Sequence, residues 1–130
     1  MSATTLRRIL LVEDDPDIRL VATMALESVG GFTIVSCGSG AEALARFGET
    51  APDLVLLDVM MPGMDGPETL AALRRLPGGG DVPIVFMTAR VQAGEIAGYR
   101  EMGAVEVIAK PFDPMTLSET VREIWRAWHA

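Results

Sequence analysis

Four apolar runs in this sequence end at residues that carry a charge or a hydroxyl. "ILLV" (9–12) leads into Glu13-Asp14-Asp15, "LVLL" (54–57) into Asp58, "IVFMT" (84–88) closes on Thr88, and "VEVIA" (105–109) leads into Lys110-Pro111. If the runs are parallel strands, their ends share one edge, and acids, hydroxyl and ammonium converge there. Two carboxylates ~4 Å apart repel by roughly 4 kcal/mol at an effective dielectric of ~20. Glu13, Asp14 and Asp58 cannot all stay ionised on the single charge of Lys110, which invites a raised pKa or a divalent cation. Carboxylate oxygens without a His or Cys cluster favour a hard ion. Mg2+ fits best, because it takes one or two carboxylates, keeps several waters and bridges to phosphate oxygens, whereas Ca2+ wants more protein oxygens.

A carboxylate beside a metal and an ammonium suits phosphoryl chemistry, with the carboxylate as nucleophile and the cations neutralising the transferring group. Asp58 stands singly where the other acids form a run, so it is the candidate nucleophile. Glu13 and Asp14 are then the candidate metal ligands.

The elements that must position these residues are legible in the apolar pattern. With "FTIVS" (32–36) there are five short runs. Four are nearly unbroken, as strands covered on both faces of a parallel sheet read. The stretches between them are long enough for helical crossovers. "PDIRLVATMALESVG" places Ile18, Val21, Ala25 and Val29 on one stripe, with Asp15 as cap and Pro16 in the first turn. "SGAEALARFGE" opens with Ser39 and Glu42 at capping-box spacing. "GPETLAALRRL" ends at "PGGGD" and "AGEIAGYREMG" at Gly103. A last helix is predicted from "DPMTL", with Asp113 as cap, Pro114 at the first position, and Leu117, Val121, Ile124 and Trp128 on one face. The alternation is (βα)5, an α/β doubly wound five-stranded parallel sheet.

Composition bounds the function. At 130 residues the chain fits one domain, expected over 1–130 with a flexible start at 1–6 and no output domain. A formal charge of −7 argues against a nucleic-acid surface. The single Cys37 permits no internal disulfide and fits a reducing compartment. No apolar run approaches the ~20 residues of a membrane span, and "MSATTLRR" lacks a secretory h-region, so a cytoplasmic domain without membrane contact is expected.

Other residues read as structural. Gly63 and Gly66 serve a turn, and "PGGGD" lacks the Lys and Ser/Thr of a P-loop. Cys37 reads as inert and His129 as solvated, while Trp125 and Trp128 adjoin the apolar stripe and read as packing.

Four segments together, "ILLVEDDP" (9–16), "LVLLDVMMPGMDG" (54–66), "PIVFMTA" (83–89) and "AKPF" (109–112), resemble in order and separation the receiver domains of two-component response regulators. The resemblance covers nearly the whole chain. It implies a flavodoxin-like fold of strand order 2-1-3-4-5. It also implies that Asp58 is a phosphoacceptor, catalytic together with Thr88 and Lys110. Its phosphate would come from a phosphohistidine on a sensor histidine kinase or phosphotransfer protein. Asp14 would bind Mg2+ directly and Glu13 largely through water, with Asp58 and the Met60 backbone carbonyl as further ligands. Thr88 would hydrogen-bond the phosphoryl group, Lys110 would pair with it, and Pro111 would follow in a cis peptide. The output would be a changed surface on the last two helices and fifth strand, read by a downstream protein or a receiver homodimer.

Two positions depart from the family pattern. Where the family carries Tyr or Phe, three residues before the Lys, this sequence has Val107, which has one stiff χ1 and no ring to reorient. Met60 and Arg90, at positions that influence water access to the acyl phosphate, offer no acid or amide to orient water, so slow dephosphorylation is expected. The competing functions are an aspartyl-phosphate phosphohydrolase and a pseudo-receiver or flavin-binding relative that docks without phosphate. The first lacks a second acid at Met60, and the second is disfavoured by the intact acids and the missing Ser/Thr-rich first loop.

Overall fold

The chain alternates strand and helix from Arg8 to His129, and the computed structural model describes residues 5–129. The strands are β1 (Arg8–Val12), β2 (Thr33–Cys37), β3 (Leu54–Asp58), β4 (Ile84–Thr88) and β5 (Glu106–Ala109). They form one parallel sheet in the order β2-β1-β3-β4-β5. The helices are α1 (Pro16–Met24), α2 (Gly40–Thr50), α3 (Gly66–Arg74), α4 (Ala93–Met102) and α5 (Leu117–His129).

Side chains alternate across a strand, so a strand buried on both faces must be apolar at every position. Leu10, Val55, Leu57 and Phe86 enter one core beneath α2, α3 and α4, with Phe47, Leu70 and Tyr99. Ile9, Leu11, Leu54, Leu56 and Met87 enter the other, with Leu26, Leu117 and Val121 of the opposite layer. Every residue of β3 and β4 is buried, including Asp58 and Thr88 at their C-terminal ends. Full burial of one such Leu or Ile is worth about 2 kcal/mol, and the two layers together clamp the sheet.

Several local signals act as the sequence predicts. Asp15 accepts from Asp17 N and Ile18 N at the start of α1. Ser39 Oγ accepts from Glu42 N, and Glu42 reaches back to Gly38 N at 2.8 Å. A capping box of Asp65 and Glu68 on α3, which the sequence reading does not name, adds to these. No helix among the described residues is long and apolar enough to cross a membrane.

Four expectations need correction. First, α1 continues as a π-helical turn, Ala25–Val29. Ala22, Ala25 and Leu26 are buried while Val21 is 43% and Val29 50% exposed, and the wider turn shifts the helical phase from Ala25 onward. Second, α5 begins at Leu117. Asp113 instead caps a separate lead-in turn, accepting Met115 N at 2.8 Å on its carboxylate and Leu117 N at 3.0 Å on its carbonyl. Third, Trp125 packs on the second core but Trp128 lies 42% exposed at the end of α5, with the His129 ring 4.7 Å away. Fourth, of the start expected to be flexible over 1–6, residues 1–4 lie outside the described residues, and Leu6 is buried in the second core.

Candidate functional site

β1 and β3 are neighbours, with Val12 opposite Leu57, so each delivers its following or final acid to the same edge. Glu13 leaves β1 with its amide held by Cys37 O at 3.0 Å and its carbonyl held by Arg19 Nη1 at 2.8 Å. Its carboxylate is buried: one oxygen accepts Asp15 N at 3.1 Å and the other accepts Lys110 Nζ at 2.8 Å. Asp58, also buried, accepts Lys110 Nζ at 3.2 Å. Glu13, Asp14 and Asp58 each present a carboxylate oxygen within 4.8 Å of the others. Three acids at that spacing with one ammonium match the donor set of a hard divalent cation, and Asp14, only half-buried, keeps the cluster open to water.

Electrostatics follow from burial. Loss of hydration and the Glu13 carboxylate push the Asp58 carboxyl up to about 7, against the opposing pull of Lys110. For Lys110, burial favours the neutral amine, but hydrogen bonds and charge from Glu13 and Asp58 outweigh it and hold the ammonium above its ordinary range. The Cys37 thiol is raised to about 11, chiefly by burial, and is a free, inert thiol.

The backbone fixes the remaining parts. Val59 N donates to Met87 O at 3.1 Å, joining the loop after β3 to β4. Lys110 N donates to Thr88 O at 2.9 Å, and the Lys110–Pro111 peptide is cis. Thr88 is buried, and its Oγ accepts from Arg90 N at 3.0 Å. Met60 lies just past β3 with its side chain 64% exposed. Gly63 has φ +73° and serves the turn, whereas Gly66 is there for space: a Cβ on it would lie 2.6 Å from Asp58 O. All the singled-out acids, Thr88 and Lys110 thus lie on one edge. Lys110 is, besides, the only lysine of the chain, beside ten arginines.

Sequence reasoning missed an apolar cavity beside this edge. About 450 Å3 in volume, it is lined by Ile18, Val21, Ala89, Pro111 and Phe112, with Asp17 and Lys110. Its signal was present in the stripe Ile18–Val21, which periodicity alone assigns to the core.

The sequence matches the family described as response regulator receiver domain over residues 9–122. The DNA-binding response regulator MtrA of Mycolicibacterium smegmatis is 41% identical over 119 residues, covering 92% of this chain and 50% of MtrA. The probable transcriptional regulator ycf27 of Guillardia theta is 34% identical over 122 residues, covering 94% of this chain and 46% of that protein. The chain spans about half the length of these curated relatives. Among solved structures, chemotaxis response regulator CheY4 of Vibrio cholerae superposes with a TM-score of 0.85 at 29% identity, covering 92% of this chain and 99% of CheY4. A putative response regulator from Chloroflexus aurantiacus gives 0.83 at 30% identity, covering 94% and 99%. The chain belongs to the response regulator receiver domain family, signalling modules of two-component systems.

Proposed function

We propose that Asp58 is the phosphoacceptor of a single receiver unit, taking phosphate from a phosphohistidine of a sensor kinase or phosphotransfer protein. The observation that carries this reading is the buried Asp58 carboxylate, with Lys110 Nζ at 3.2 Å and oxygens of Glu13 and Asp14 within 4.8 Å. An Asp58 oxygen attacks phosphorus in line, the P–N bond breaks, and the departing imidazole nitrogen takes up a proton. Lys110 neutralises the transferred group, and the Thr88 hydroxyl turns to donate to it. Glu13, Asp14, Asp58 and the Met60 carbonyl would hold Mg2+, which when bound supplies further charge neutralisation at the phosphoryl oxygens.

The apolar cavity beside Lys110 supports a protein donor rather than a free small molecule. Val21, at 43% exposure, and Met24, at 57%, leave this side of α1 without a covering element. Cytoplasmic operation suits the free thiol of Cys37. The name of MtrA includes DNA binding, but that protein is about twice as long, and no nucleic-acid contact is proposed for this acidic receiver.

The test is intact mass after incubation with a small phosphodonor and Mg2+. A phosphate-sized gain in wild type that is absent from Asp58→Asn supports the reading. Rapid donor turnover without an adduct would replace it with a phosphohydrolase. No adduct and no Mg2+ binding would replace it with a phosphate-independent docking module.

A further inference from the structure

We infer that Arg19 is the positioning residue of the cation site: it fixes the peptide between Glu13 and Asp14, and with it the angle at which the two acids meet a metal ion. This role rests on Glu13 and Asp14 being the metal ligands.

Three observations carry it. The first is a difference between the two acids. Glu13 is held at both ends, its amide by Cys37 O, one carboxylate oxygen by Lys110 Nζ at 2.8 Å and the other by Asp15 N at 3.1 Å. Asp14 is only half-buried, and among the described residues no group donates to its carboxylate. The direction of that carboxylate is therefore set by the backbone that carries it.

The second is what holds this backbone. Arg19 Nη1 reaches back from α1 and donates to Glu13 O at 2.8 Å. A peptide group is planar, so fixing Glu13 O fixes the whole unit as far as the Asp14 Cα. The donor is charged, which makes this one of the stronger kinds of hydrogen bond.

The third is Gly38, the residue after β2. It is not among the glycines with positive φ, so no turn demands it. A Cβ there would lie 3.0 Å from Arg19 Nη1, and its three nearest atoms all belong to the Arg19 guanidinium. The glycine keeps open the space in which that guanidinium lies. Its neighbour Cys37 supplies the carbonyl that holds Glu13 N, so α1 and the end of β2 grip Glu13 from two sides.

Charge alone would give Arg19 the opposite effect. A guanidinium beside a cation site repels the ion, and deleting it for that reason would tighten binding. The contribution of Arg19 is geometric instead. Mg2+ demands a near-ideal octahedron at about 2.0–2.1 Å, whereas Ca2+ accepts irregular oxygen sets at about 2.3–2.6 Å. An Asp14 free to turn therefore harms Mg2+ more than Ca2+, and Arg19 sets the preference between them.

The experiment titrates the unphosphorylated protein with Mg2+ alone and with Ca2+ alone, following the backbone amides of residues 13–15 and 58–60 by NMR. In Arg19→Met the Mg2+ affinity should fall about tenfold and the Ca2+ affinity by less than about threefold. Gly38→Val keeps every charge but occupies the space of the guanidinium, and should reproduce this pattern. Added to Arg19→Met, it should cost nothing more, because the side chain through which it acts is already gone. If Arg19→Met does not fold, Gly38→Ala decides by its single methyl group, with an expected Mg2+ loss of at least about threefold. A smaller Mg2+ loss than this in the variant that decides, or a tightening, overturns the inference and leaves the metal site intact. An equal loss of both ions, the mark of a general packing defect, also overturns it. So does a further loss from Gly38→Val in the Arg19→Met background. Absence of Mg2+-dependent shifts at these amides in wild type instead overturns the metal reading, and the inference with it.

Discussion

Lys110 and Glu13 form the closer of the two ion pairs at the sheet edge, Nζ to Oε1 2.8 Å, against 3.2 Å from Nζ to Asp58 Oδ1. The lone cation is thus shared unequally, and Asp58, the candidate nucleophile, is left the less compensated acid. This sharing makes the Asp58 carboxyl sensitive to the charge on Glu13. In Glu13→Gln the second-largest cause of its elevation is gone. Its midpoint, followed by carbon NMR of the side-chain carboxyl, is expected to fall below about 7. A midpoint that stays or rises would contradict the pairing.

The same elevation makes stability depend on pH. Unfolding returns Asp58 from about 7 to its ordinary 3.8, so between these values the folded state holds the extra proton and stability falls as pH rises. A shift of that size corresponds to a penalty on the order of 4 kcal/mol, complete above the folded midpoint. Asp58→Asn removes it. Urea unfolding should show the variant gaining on wild type from pH 5 to pH 8, and saturating Mg2+ should close the gap by stabilising wild type alone. A difference independent of pH would contradict the prediction.

Removing the cation acts in the opposite direction. In Lys110→Met, Glu13 and Asp58 remain buried beside each other without a compensating charge, at a cost of about 3 kcal/mol near pH 8. Near pH 5 the loss is smaller, because Asp58 is then protonated. Unfolding midpoints at the two pH values separate this from a packing defect, which would be equal at both. Phosphate gain in the variant should fall steeply at either pH.

Gly66 and Gly63 predict different outcomes from the same substitution. Gly66→Ala puts a Cβ 2.6 Å from Asp58 O and 2.7 Å from Val59 Cα, so α3 must back away from the acceptor. The expected cost is about 2 kcal/mol, with slowed phosphate uptake. Gly63→Ala meets nothing within 4 Å and strains only its φ of +73°, at about 1 kcal/mol, with normal uptake. Equal uptake defects in the two would contradict the assignment.

Phosphoryl lifetime follows from Met60 and Arg90. Neither carries an acid or amide that can align a water on the acyl phosphate, and Met60 stands 64% exposed past Asp58. Purified phosphoprotein is expected to keep its added mass for minutes or longer in Mg2+. Loss within seconds would contradict this.

The sheet was legible because a strand covered on both faces has no freedom in its pattern: Leu54–Leu57 and Ile84–Met87 are apolar at every position and buried at every position. The site was legible for a topological reason. Parallel strands must bring Glu13, Asp58, Thr88 and Lys110 to one edge, whatever the packing details. The unequal sharing of Lys110 was not legible, since it depends on how far each side chain reaches. The stripe of α1 was misread at Val29 because a π-helical turn shifts the phase from Ala25 onward, and at Val21, ahead of that turn, because it lines the open apolar cavity. The start of α5 was misread because Asp113-Pro114 opens equally well a lead-in turn that runs into the regular helix only at Leu117.

Apart from His129, arginine supplies every basic side chain of the chain except Lys110. An acylating reagent applied to the folded protein therefore has one side-chain amine to find. The Lys110 side chain is 17% exposed, and its amine is protonated and held by two carboxylates. Its labelling rate measures how often the pocket opens, with no mutation, isotope or donor required. A kinase, a metal or a docked peptide that closes the pocket would slow acylation of Lys110, read on the peptide that carries it.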